Sequence, residues 1–165
     1  VYGFKEVNSL NINKNGYRLG AALVLFLAAV IFQIESASVF VFKLDFVLVT
    51  MVILAFFLNF HEILFLDLVA VFLLNWQPIL SWEMGVLFLL PLAVGSGRRW
   101  MPGKLWFTSL FFIIVSVVVF YSVASFSLFF QNLGGASRIV FSDLVFGEMI
   151  FLLFNYFFGV QQNYV

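Results

Sequence analysis

What this chain can fold into is constrained first by how little of it water can hold. From Leu19 to Val160 the sequence is a series of apolar stretches broken only by short polar clusters. Charged residues are 10% of the 165 and hydrophobic ones 64%, where a soluble domain carries roughly 25% charged residues. Such a chain has too little polar surface to clothe a water-soluble globule, and it reads as an integral membrane protein. Roughly 20 apolar residues cross a bilayer as a helix. The length therefore holds about six or seven crossings with short loops, and no separate soluble domain.

The polar breaks predict an all-α chain, a compact bundle of about six transmembrane helices. Residues 1–18, with Lys5, Glu6, Lys14, Arg18 and four Asn, read as a flexible or interfacial lead. They carry no evident cleavable signal, and the opening Val1 suggests a fragment or a processed form. The single transmembrane domain covers 19–160, and a short uncharged tail covers 161–165. The first span runs from Leu19 to Ile34, and Ser36 to Asp45 reads as an extended lead-in to the next. The second runs from Leu44 to Asn59 and the third from Ile63 to Asn75, stopped by Pro78. The fourth runs from Trp82 to Val94 and contains Pro91, which a transmembrane helix tolerates when neighbours satisfy the freed carbonyl. Residues 95–104 form a loop dense in breakers and cations. A fifth span from Leu105 to Phe130, a loop from Gln131 to Arg138 and a sixth span from Ile139 to Val160 complete the order.

Orientation follows from Lys and Arg. With both termini in the cytoplasm, the inside holds Lys5, Lys14, Arg18, Arg98, Arg99 and Lys104, and the outside only Lys43 and Arg138. The four Trp fall at span ends, where an amphipathic indole belongs. Net charge is zero and there is no Cys, so no nucleic-acid partner is expected and disulfides and thiolate sites are excluded.

Function is sought among polar residues at depth, because an ionisable group at a span centre costs about 2.5–3.5 kcal/mol on insertion scales. Asp67, Asp143 and Glu148 are the candidates. Asn75 shares the helix face of Asp67 at i+8, and Asn155 that of Glu148 at i+7. Glu148 with Asn155 either lines a site or partner contact, or merely fixes packing by bonding to a Ser or Tyr of the fifth span. Asp67 has uncertain depth, and Asp143 is expected near the headgroups. His61 and Glu62 lack companions for a metal site. The serine of Gly95-Ser96-Gly97 has no His in a later span to activate it. Arg98, Arg99 and Lys104 read as a contact to anionic lipid or to a cytoplasmic partner. No cofactor, metal or catalytic set is expected.

The order of elements resembles the rod-shape-determining MreD family. The resemblance lies in Lys43-Leu44-Asp45-Phe46-Val47-Leu48 opening the second run, Leu66-Asp67-Leu68 in the third, and a short helix ending in a basic loop. It spans about residues 18–160, although no Pro precedes Asp45. Membership implies a non-catalytic membrane scaffold of cell-wall elongation, bound to membrane protein partners. The family's fold is similar to that of the substrate-binding subunits of energy-coupling-factor vitamin transporters, which supply the alternative, a small-molecule ligand site. Their Ala-xxx-Ala motif is not matched in the first span, where alanines recur at seven.

Overall fold

The computed structural model describes residues 3–39, 45–74, 82–101, 104–124 and 133–158. Among these the chain is all-helical: α1 (Gly3–Val39), α2 (Phe46–Leu54), α3 (Phe60–Leu74), α4 (Trp82–Gly97), a 3-10 turn (Arg98–Trp100), α5 (Leu105–Ala124) and α6 (Leu133–Phe158). Three segments are long and apolar enough to cross a membrane: Gly16–Glu35 within α1, Leu105–Ala124 and Gly134–Phe158. In each, most residues face outward rather than into the protein, as helices bathed in lipid do.

Several boundaries differ from expectation. The lead is helical from Gly3 and continuous with the first span. The lead-in's first residues, 36–39, extend the same helix, while 40–44 lie outside the described residues. The expected loop at Gln131–Arg138 is helical from Leu133, so Gly134, Gly135 and Arg138 belong to α6. Helical spacing on the polar side of this stretch is indistinguishable from a loop by composition alone.

The largest difference is α2. Its nine residues are about 13 Å long, well short of a roughly 30 Å hydrocarbon core. It does not need to reach both interfaces, because it contacts all five other helices, and residues 47–58 are buried without interruption. Around it, α1 packs on α3, α3 on α4, α4 on α5 and α5 on α6. Non-helical backbone at membrane depth is tolerated only where protein buries it, and the turn after Leu54 meets that condition. There the N–H groups of Phe56, Phe57 and Leu58 donate to Ile53 O and Leu54 O at 2.9 Å, which satisfies donors a frayed helix end would orphan.

The chain then reverses at Asn59, whose backbone N–H donates to Glu62 Oε2 at 2.8 Å. This is one half of a capping box at the start of α3. The same oxygen, Glu62 Oε2, also pairs with Arg18 Nη2 at 3.4 Å, which sets the start of the first span beside the start of α3. α4 continues helically through the buried Pro91. Trp82, Trp100 and Trp106 are exposed at helix ends, as expected for interfacial indoles.

Candidate functional site

The core is closely packed along the seam of α2, α5 and α6. Asp143, Gly147, Ile150, Phe151 and Phe154 are buried at positions i, i+4, i+7, i+8 and i+11 of α6, one continuous helix face. At Gly147 a Cβ would stand 2.7 Å from Ile113 Cδ1 and 2.9 Å from Val49 Cγ1, so glycine is what lets the three helices meet. Toward the loop end of α2, Phe56 and Phe57 pack on Phe151 with ring centroids 6.1 and 5.6 Å away, and Phe57 also meets Phe154 at 5.4 Å.

At the other end of the same seam the register brings polar groups together. Gln33 of α1 donates from Nε2 to Asp45 Oδ1 at 3.2 Å, and Asp45 opens α2. The Tyr121 hydroxyl of α5 bonds to the Asp45 carboxylate, and Asp143 of α6 lies near enough for its charge to act on both. Two carboxylates, a phenol and an amide thus converge from four helices. Asp143 is fully buried, in contrast to the headgroup position expected for it, because the helix begins ten residues before it and carries it into the bundle. Gln33 and Tyr121 were not singled out from sequence. The available signal was that each is alone in its run: Gln33 is the one amide in the first, and Tyr121 the one tyrosine in the fifth.

Glu148 meets Ser109 of α5, whose Oγ donates to Oε1 at 2.6 Å. Its neighbour is therefore a serine of the fifth helix. Asn155, on the same stripe, is exposed. Hydrogen bonds between membrane helices average about 0.6 kcal/mol in double-mutant cycles. A Ser109→Ala, Glu148→Gln cycle followed by unfolding in detergent is accordingly expected to give a coupling on the order of 1 kcal/mol; zero coupling would show that the contact contributes nothing.

Asp67 is fully buried in α3, and among the described residues neither carboxylate oxygen has a hydrogen-bond partner. Its expected companion Asn75 lies outside the described residues. A buried polar group without partners is a stability cost. Asp67→Leu is therefore expected to raise stability by on the order of 1 kcal/mol, read as a higher melting temperature in detergent; a lower one would mean that Asp67 is satisfied by a group beyond the described residues. His61 is exposed on the first turn of α3, and no hydrogen bond joins it to Asp67 or Glu148.

The basic cluster sits at the end of α4. Arg98 donates from Nη2 to Leu58 O at 3.4 Å, so it clasps the turn between α2 and α3. Arg99 shares its 3-10 turn, and Lys104 is exposed just ahead of α5. Beside Arg98 lies a cavity of about 290 Å³ between that turn and α4. Among the described residues no three His, Asp or Glu side chains are placed to hold a metal ion.

No family model, curated protein or solved structure matches the chain.

Proposed function

We propose that the protein is a non-catalytic membrane scaffold, whose chain passes six times between the two ends of the bundle, once through the half-length α2, with both termini and the 98–104 loop in the cytoplasm, and that it assembles partner membrane proteins of bacterial cell-wall elongation. The observation that carries the reading is the filled centre. α2 and its turn occupy the middle of the bundle with Leu48, Met51, Leu54, Phe56 and Leu58, all essentially inaccessible, where a carrier of small molecules would keep space for its cargo. The alternation of chain direction is supported by contacts at one end of the bundle, the Arg18–Glu62 pair and the Arg98–Leu58 bond. The MreD resemblance of the sequence adds the cellular setting.

The test is photocrosslinking from native membranes. A benzoyl-phenylalanine at Phe141, Met149 or Tyr156, all exposed on α6, is expected to yield adducts with protein components of wall synthesis, and depletion of the chain in its host to round rod-shaped cells. Adducts with lipid alone and unchanged cell shape would remove the proposal.

One observation favours a second reading, the vitamin-binding subunit of an energy-coupling-factor transporter. The Gln33, Asp45, Tyr121 and Asp143 group is a polar and aromatic set at the end of the bundle that this topology turns outward, where such a subunit would bind its ligand. Loss of vitamin uptake on Asp45→Asn, with normal protein levels, would support that reading over the scaffold.

A further inference from the structure

The cavity at the basic end of the bundle has the ingredients of a lipid site. Its lining is largely apolar, including Leu58, Phe60, Ile63 and Trp100, with Arg98 as its one charged side chain among the described residues. A Cβ on Gly95 would come within 3.0 Å of Ile63 Cδ1, so α4 approaches Ile63 closely at the edge of this space. Two aromatic side chains form the rim: Trp100 is 86% exposed and Phe60 50%. At about 290 Å³ the space is at the lower end of the roughly 300–1,000 Å³ of ligand pockets, suited to a small headgroup.

Charge points to the sign of the occupant. Arg98, Arg99 and Lys104 fall within seven residues, and Glu62, on the first turn of α3, is paired with Arg18. Position points to its other half. An apolar lining opening past an exposed indole at a helix end is at headgroup depth, where acyl chains lie alongside. Arg98 is held in place by its bond to Leu58 O, and a guanidinium has five donors in a planar fork that suits phosphate oxygens.

We infer that this cavity binds the phosphate of an anionic phospholipid, with Arg98 contacting the phosphate and Trp100 and Phe60 packing on the glycerol and upper acyl chains. The site lies beyond the scaffold reading and does not depend on it.

The experiment is native mass spectrometry of the full chain in mild detergent, titrated separately with phosphatidylglycerol, phosphatidylcholine and inorganic phosphate. Phosphatidylglycerol is expected to bind more tightly than phosphatidylcholine, and Arg98→Gln to weaken it about fivefold, the effect of roughly one basic residue near a membrane surface. Ser96→Phe, which fills the cavity without changing charge, is expected to weaken it at least as much. Equal binding of the two lipids, or both variants binding like the parent, would overturn the inference; inorganic phosphate binding as tightly as the lipid would reassign the site to a soluble anion. A second measurement needs no change at Arg98. Brominated phosphatidylglycerol should quench tryptophan fluorescence more than brominated phosphatidylcholine, with the difference lost in Trp100→Phe, and equal quenching by the two lipids would count against the site.

Discussion

Phe151→Ala is expected to destabilise the protein by about 3–5 kcal/mol, the cost of truncating a buried aromatic side chain. Phe151 is 1% exposed and touches both phenylalanines of the turn that closes α2, Phe56 and Phe57. Its removal would therefore open a hole beside the buried non-helical turn that follows α2. The surrounding helices cannot collapse freely into that hole, since α2 is already held by contacts on every side. The cost should fall near the upper part of the range, read by urea unfolding in detergent micelles. Phe157→Ala, on the same helix but 67% exposed, should change stability by no more than about 0.5 kcal/mol. Equal effects from the two would mean that α6 does not present the face described.

The second large effect is overpacking. Gly147→Leu should cost about 1–3 kcal/mol or more, because the new side chain begins within 3 Å of both Ile113 and Val49. Ile113 Cδ1 is the tip of a flexible chain and can turn aside. Val49 Cγ1 sits on a β-branched residue with one preferred rotamer in a helix, so α2 itself must shift. Gly20→Leu is the internal control, as nothing lies within 4 Å of its Cβ position. If Gly147→Leu melts like Gly20→Leu, the α2, α5 and α6 seam is looser than the structure has it.

These two residues show which parts of the fold sequence reasoning reaches. The helical class, the three long segments and the exposed tryptophans follow from hydropathy and from where Arg18, Arg98 and Lys104 interrupt it. The shortness of α2 does not. Phe46 to Asn59 is uninterrupted by charge, and a buried half-length helix with a turn of Ala55, Phe56, Phe57 and Leu58 has the same composition as a span. Only the contacts around it make the difference. The same holds among the polar residues. A bond from Glu148 to a Ser or Tyr of the fifth helix is one of two readings the sequence offers, because such groups lie deep in both long runs, and Ser109 supplies it. Asp143 could not be placed inside the bundle while Gly134 and Gly135 read as a loop, and the meeting of Gln33, Asp45 and Tyr121 required helix register that no single run contains.

The central claim is that the filled bundle holds proteins rather than a small molecule, and native mass spectrometry of the chain extracted from its own membranes in mild detergent tests it most directly. The account predicts a complex in which the 18.8 kDa chain carries a stoichiometric protein partner and no vitamin-sized ligand. A chain that retains one equivalent of a vitamin, with no protein partner, would contradict it.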